Sequence, residues 1–242
     1  MLKRVFDFSC SFFGLIILLP ILSVFTLIIF LQDFKSPFYF GKRIGKNKKV
    51  FNMLKLRSMN IDSDKLGIDS TSSDDLRITK IGSIVRKLKI DELFQLWNVV
   101  KGDMSLVGPR PNVETDVALY TKDELLILSV LPGITDLSSI VFSDEGEILK
   151  GSENPDLRYN QIIRPWKSRL AIFYVNNSSF ILDIVIIYLT IIGLIKKNYS
   201  LEKIFSILKN KNADQNLLET VLRKEALRPY PPPGAKHIVK RR

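Results

Sequence analysis

The sequence predicts a mostly helical α/β domain attached to a membrane by its N-terminus. Three observations predict this class. An apolar run over residues 12–31 lies between basic flanks. A short strand pair follows over 38–56. Beyond it, apolar residues recur at helical spacing over 91–100, 114–131 and 158–176.

The N-terminal run is interrupted only by Ser23 and Thr26, with Gly14 and Pro20 inside it. About 20 residues just cross a hydrocarbon core of roughly 30 Å. A signal peptide would need a shorter core and a small-residue cleavage site, and neither follows Leu31. Pro20 removes one helical hydrogen bond and predicts a kink. Lys3 and Arg4 precede the run, and Lys35, Lys42, Arg43, Lys46, Lys48 and Lys49 follow it. The positive-inside rule draws both ends to the cytoplasm. A re-entrant hairpin bent at Pro20 satisfies both ends, and a straight anchor satisfies one. The residues alone leave both arrangements open, since proline is tolerated in spanning helices.

Residues 38–40 and 50–56 read as two strands around a turn. Lys55 and Arg57 flank Leu56 and so share a face, ordinarily a solvated one. Residues 60–75 are rich in Asp and Ser and predict a mobile loop. The basic segment 78–89 carries Arg86. Leu93, Leu96, Trp97 and Val100 mark a helix beginning at Asp91, which Gly102 ends. A helix over 114–131 closes at Pro132-Gly133. Another over 158–176 offers Arg164, Lys167 and Arg169 to the surface. Residues 180–195 are apolar but short for a span, and read as an interfacial or a buried core helix. Residues 201–227 read as an amphipathic helix. The tail 228–242 holds four prolines and five Lys or Arg, and predicts a disordered basic segment at a membrane surface.

The chain has 242 residues, one Cys (Cys10) and one His (His237). No internal disulfide can form, and chemistry that needs a His base, a thiol or a Cys/His zinc cage is almost excluded. The net charge of +11 points to polyanionic partners: nucleic acid, anionic lipid or phosphorylated substrates. Any catalysis falls to carboxylates, with a hard cation as the natural helper. Asp91 and Glu92 are an adjacent pair at the start of an apolar helical run. Such a pair at a helix start is ordinarily only a favourable dipole interaction. Its surroundings raise its interest. Helix starts also favour phosphate. Arg86, Arg110 and Lys55 supply cations that do not act as bases. Pro109 and Pro111 restrict the backbone around Arg110, so its guanidinium can be held for a bidentate phosphate contact. Carboxylates, a divalent ion and fixed arginines together suit phosphoryl transfer.

The stretch Asp91-Glu-Leu, then Leu96-Trp-Asn-Val-Val-Lys-Gly-Asp-Met-Ser-Leu-Val-Gly-Pro-Arg-Pro111, resembles the signature of the bacterial sugar transferases that are monotopic phosphoglycosyl transferases. The likeness extends to Lys3-Arg-Val-Phe-Asp-Phe8, Lys55-Leu-Arg-Ser-Met59, Arg77-Ile-Thr-Lys-Ile-Gly82, Pro132-Gly-Ile-Thr135 and the stretch from Tyr174 to Asp183, and covers roughly residues 2–196. It implies a re-entrant helix over 1–34, a small catalytic domain with interfacial helices over 35–197 on the cytoplasmic face of the bacterial inner membrane, and an unassigned basic extension over 198–242. The implied reaction moves a sugar 1-phosphate from a UDP-sugar to undecaprenyl phosphate and releases UMP. By this likeness Asp91 is the nucleophile that forms an aspartyl phosphosugar. Glu92 helps hold Mg²⁺, the implied cofactor. Lys55, Arg86 and Arg110 steady the phosphates. The implied partners are UDP-sugar, undecaprenyl phosphate and membrane lipid, with no nucleic acid; a homodimer stays open. Sugar and glycan pathway, whether O-antigen, capsule, exopolysaccharide or glycoprotein, are not legible.

Three positions depart from the family pattern: Leu19 before the proline, Leu131 before Pro132, and Asp136-Leu137-Ser138 after Thr135. The alternative function is a non-catalytic, membrane-attached basic module that binds anionic lipid or nucleic acid. The Asp91-Glu92 pair fits that poorly, because like charges repel phosphate. A two-carboxylate glycosidase is also disfavoured, since its acids must stand about 5–9.5 Å apart across a sugar.

Overall fold

A computed structural model describes residues 2–63 and 67–241. Part of the expected 60–75 loop, at 64–66, and the last residue of the tail lie outside the described residues.

Helix α1, Leu2–Asp33, contains the whole apolar run with Pro20 inside. Its 32 residues span about 48 Å at ~1.5 Å per residue. Its protected positions follow one stripe: Asp7, Ser11, Leu15, Leu18, Leu22, Phe25 and Ile29. Steps of three and four residues keep that stripe on one side of a helix, and they stay in phase across Pro20. The other sides expose Phe8, Phe13, Ile17, Val24, Leu27 and Leu31.

Both ends of α1 are fastened to the rest of the protein. At the start, Lys3 Nζ donates to Asp183 Oδ2 at 2.6 Å and to the Val107 carbonyl at 3.1 Å. Arg4 donates to the carbonyls of Val99 and Val100. Asp7 accepts from Ser105 Oγ at 2.7 Å. At the far end, Arg57 donates to both Asp33 oxygens, at 2.5 and 2.6 Å.

Strands β1, Phe38–Ile44, and β2, Val50–Leu56, pair antiparallel with Tyr39 opposite Lys55. Helix α2, Lys80–Lys87, is capped by Thr79, whose side chain accepts from Gly82 N. A Cβ on Gly82 would lie 1.9 Å from the Ser58 carbonyl oxygen, so only glycine lets α2 lie on that chain. The sequence places one helix from Asp91. The structure instead has a 3-10 turn over Ile90–Glu92 and then α3, Gln95–Lys101, ended by left-handed Gly102.

Strand β3, Ser105–Val107, is followed by α4, Glu114–Val117, a 3-10 stretch over Glu124–Ser129, and β4, Gly133–Thr135. The expected single helix over 114–131 is thus two short pieces. Glu124 is drawn inward as the partner of a buried arginine, and a straight helix would not place it there. β3 and β4 pair in parallel. A Cβ on Gly133 would lie 2.1 Å from Gly108 N, so the two glycine-bearing motifs touch backbone to backbone.

The remaining helices are α5, Leu137–Val141; α6, Glu145–Leu149; α7, Pro155–Ile162; α8, Arg164–Asn177; α9, Phe180–Gly193; α10, Lys197–Asn210; and α11, Gln215–Val221. Their inward faces share one core that includes Leu137, Ile163, Leu170, Ile186, Ile204 and Val221. The domain is therefore mostly helical with a little sheet. Helix α9 buries only Asp183, Ile186 and Leu189 and exposes Ile181, Tyr188 and Ile191.

Four further expectations are corrected. Arg164 is not at the surface: it is 1% exposed and donates to Glu124, Asn160 and the Leu119 carbonyl. The 201–227 helix is split between α10 and α11. The described tail is not loose. Tyr230 stacks on Trp166 at 4.5 Å, Arg169 lies over both rings, and Gln161 bonds at both Tyr230 and Val239. Proline-rich chain loses little entropy on being held extended, and aromatic stacking outweighs that loss. The described part of the 60–75 loop is likewise tied down: Ser70 N donates to Asp156, Ser73 N to the Gly146 carbonyl, and Asp74 accepts from Gly151 N.

Candidate active site

Four elements bring the predicted site residues together. β2 delivers Lys55. α2 delivers Arg86 near its end. The 3-10 turn delivers Asp91 and Glu92. The loop after β3 delivers Arg110. Lys89 makes the junction between α2 and the 3-10 turn with a left-handed backbone, φ 58°. That conformation costs a non-glycine residue about 1–2 kcal/mol, and it turns the chain sharply enough to set Asp91 near Arg86.

Arg110 is placed by two motifs acting together. The close Gly108–Gly133 approach sets the loop on β4, and Gly133 N donates to the Pro109 carbonyl at 3.0 Å. Arg110 Nη1 then reaches the Ile134 carbonyl at 3.3 Å, while Nη2 donates to Glu92 Oε1. Lys55 Nζ donates to that same oxygen at 3.1 Å. Glu92 therefore sits between two cations. Burial raises its carboxyl, but Arg110 and Lys55 outweigh this and hold it well below the usual carboxylate range. In turn, burial works against the Arg110 charge, and Glu92 more than restores it. Burial lowers Lys55 despite Glu92.

Asp91 is treated in the opposite way. It is 5% exposed, and its Oδ1 has no hydrogen-bond partner. Burial, then the Glu92 charge, push its carboxyl above the ordinary range, and Lys55, Arg86 and Lys89 pull it back. Arg86 makes one long contact, 3.5 Å to Ser58 Oγ. Adjacent carboxylates pushed in opposite directions divide labour: one stays charged as a support, the other is a buried oxygen kept free of partners.

Among the described residues, no group of three or more His, Cys, Asp or Glu side chains could hold a metal ion. Mg²⁺ does not require such a cage, because it is commonly held by one or two carboxylates together with substrate phosphates. Glu92, a hard-oxygen carboxylate kept charged by Arg110 and Lys55, fits that mode as the one carboxylate beside substrate phosphates.

The departing residue Asp136 has a local role. It caps α5, accepting from Ser139 N at 2.7 Å, and its charge acts on Arg110. Lys89, Gln95, Asp136 and the Lys3–Asp183 clasp were missed as site or anchoring residues. Only the left-handed angle, the burial or the tertiary partner marks them, and none of these is visible in sequence spacing.

A sequence profile described as bacterial sugar transferase matches residues 1–197. The chain is 37% identical to an uncharacterised sugar transferase, EpsL, of Bacillus subtilis, over 78% of this chain and 85% of that one. It is 39% identical to an undecaprenyl-phosphate glucose phosphotransferase of Komagataeibacter xylinus, over 78% of this chain and 35% of that one. It is 30% identical to a UDP-N-acetylgalactosamine-undecaprenyl-phosphate N-acetylgalactosaminephosphotransferase of Aeromonas hydrophila, over 78% and 43%. The chain thus spans less than half of the latter two relatives. With the profile covering most of its length and its signature residues gathered around Asp91 and Glu92, this chain belongs to the bacterial sugar transferase family.

Proposed function

We propose that this protein is a phosphoglycosyl transferase that moves a sugar 1-phosphate from a UDP-sugar to undecaprenyl phosphate, through an intermediate on Asp91. The carrying observation is the buried Asp91 oxygen without a partner, beside a Glu92 clamped by Lys55 and Arg110. A carboxylate oxygen of Asp91 attacks the phosphorus that bears the sugar. The bond from that phosphorus to the UMP oxygen breaks, and UMP leaves with the electron pair. An oxygen of undecaprenyl phosphate then attacks the same phosphorus and releases the Asp91 carboxylate, giving the lipid diphosphate sugar. Each step exchanges one anhydride bond at that phosphorus for another, so the protein's task is positioning and charge. Arg86, Arg110 and Lys55 take up phosphate charge. Glu92, with the donor's phosphates, would hold Mg²⁺, which neutralises charge on the diphosphate. The product would start a lipid-linked glycan.

The proposed setting is the cytoplasmic face of the inner membrane. α1 is long and apolar enough to cross a bilayer. Its one-sided stripe and its fastenings at Lys3 and Asp33 favour a helix that enters and returns on the side of the domain. A straight crossing would carry one fastened end away. The exposed apolar faces of α1 and α9 suit lipid contact.

The experiment is UMP release by purified protein in detergent, with a UDP-sugar panel, Mg²⁺ and polyprenyl phosphate. Asp91→Asn should lower turnover about 10⁴-fold or more and keep the fold. Sugar-phosphate mass on the peptide holding Asp91 should appear when acceptor is withheld. Wild-type turnover in Asp91→Asn refutes the reading.

A further inference from the structure

Gln95 begins α3 and is fully buried. Both polar atoms of its side-chain amide, Nε2 and Oε1, lack a hydrogen-bond partner. Buried amides are nearly always paired, and leaving one unpaired destabilises the folded state. Asn98, next along α3, shows the ordinary solution: it accepts from Leu54 N at 2.9 Å and donates to the Asn52 carbonyl at 2.8 Å. Gln95 makes no such tie. Four residues before it stands Asp91, also buried, with Oδ1 unpaired. The chain turns right-handed through Leu93 and Phe94, and Asp91, Gln95, Asn98 and Val99 are buried while 92–94 are not, so positions 91 and 95 lie about one turn apart on the protected side. A donor without an acceptor lies one turn from an acceptor without a donor.

We propose that Gln95 is a positioning residue for Asp91, a role that rests on the nucleophile assignment above. On seating of the donor, Gln95 Nε2 donates to Asp91 Oδ1, and the second carboxylate oxygen is left to attack phosphorus. An amide suits this place. It orients the carboxylate without adding a cation that would compete with phosphorus for it. The amide left unpaired at rest is a local cost to stability, as expected where a group is kept for a later step.

One rival partner exists. Ser11 Oγ, on the buried stripe of α1, is also unpaired. α1 passes close to α3, with Arg4 on the Val99 and Val100 carbonyls and Gly14 against Leu96. A bond from Gln95 to Ser11 would be a tie between helices and nothing more.

The variants Gln95→Met, Gln95→Asn and Ser11→Ala separate these roles, with Asp91→Asn measured alongside in the same detergent. Gln95→Met keeps length and burial but cannot donate. It should lower kcat for UMP release about 10–100-fold, the scale of a misplaced reacting group, with KM for the UDP-sugar within about twofold. Its Tm should equal or exceed that of the wild type, because an unpaired buried amide has been removed. Phosphosugar should accumulate on Asp91 more slowly. Gln95→Asn keeps an amide with less reach, and should show the same loss of kcat should the Met variant fail to fold. Ser11→Ala should leave kcat unchanged. Wild-type kcat in the Gln95 variants, or an equal loss in Ser11→Ala, overturns the inference. If Asp91→Asn is inactive while Gln95→Met turns over normally, only the positioning role falls. If Asp91→Asn is active, the nucleophile assignment falls with it.

Discussion

Arg110 Nη2 donates to Glu92 Oε1, the same oxygen that takes Lys55. The Gly108–Gly133 contact seats the Arg110 loop on β4, where Arg110 also reaches the Ile134 carbonyl. Arg110→Ala should therefore do two kinds of damage. It removes a cation that the proposed reaction uses on phosphate, and it leaves half-buried Glu92 with Lys55 as its one ion-pair partner. The expected loss in kcat/KM is about 10²–10³-fold, the usual scale for one preorganised donor. Arg110→Lys should recover only part of it, because an ammonium cannot reach the Ile134 carbonyl and Glu92 with one rigid fork. Steady-state UMP release over a UDP-sugar titration checks both; full recovery in the lysine variant would sink the fork argument.

Glu124 and Arg164 form an ion pair at 0% and 1% side-chain exposure. Ser168 Oγ adds a third bond to Glu124 at 2.6 Å, and Asn160 holds the other side of the guanidinium. Breaking a buried pair by removing one partner costs about 3–5 kcal/mol, because the remaining charge is stranded. Arg164→Ala should lower Tm markedly in detergent. The doubly apolar variant, Arg164→Met with Glu124→Leu, should recover most of the loss. A small effect of the single variant would show that solvent reaches this pair.

How much of this was legible in the sequence follows from what each residue responds to. The strand pair, a helical run ended by Gly102, and the grouping of Lys55, Arg86, Asp91, Glu92 and Arg110 are readable because local spacing and motif fix them; the helix start is not, since a 3-10 turn stands where one helix from Asp91 is expected. Arg164 was misread because a helical period reports which face a residue occupies and not whether a distant carboxylate will meet it there. The 114–131 segment was misread for the same reason: its spacing gives no sign that Glu124, at the start of the 3-10 stretch, is buried against Arg164. Gln95 lies inside the motif itself, but only burial without partners distinguishes it from an ordinary polar helix residue. The tail's composition suggested disorder, and its stacking on Trp166 depends on a surface formed by α7 and α8.

Both ends of α1 hold the same domain, so both should face the same compartment. Single cysteines at Leu2→Cys and Lys35→Cys, in a Cys10→Ser background, place thiols at exposed positions beside each fastening. In right-side-out spheroplasts a membrane-impermeant maleimide should label neither, and after permeabilisation it should label both. Labelling of either position in intact spheroplasts would establish a crossing helix. Asp183→Ala should expose the Lys3 end further, since it removes the partner of both Lys3 and Tyr174.

The C-terminal strap closes over the domain at Tyr230, whose ring lies 4.5 Å from Trp166 and beneath Arg169. Thr121 Oγ1 donates to the Pro233 carbonyl at 2.6 Å, so the strap also grips the segment that leads into Glu124. Tyr230→Ala removes a half-buried ring, a stacking contact and a cation–π contact. Together these amount to about 1–3 kcal/mol. The strap is remote in sequence from Asp91 and lies outside the residues matched by the family profile. The variant should accordingly lower Tm and speed proteolysis within residues 222–241 while leaving KM for the donor unchanged. Thermal melts and limited proteolysis of the full chain check this. A raised KM with unaltered melting would mean that the strap touches the donor and is part of the site.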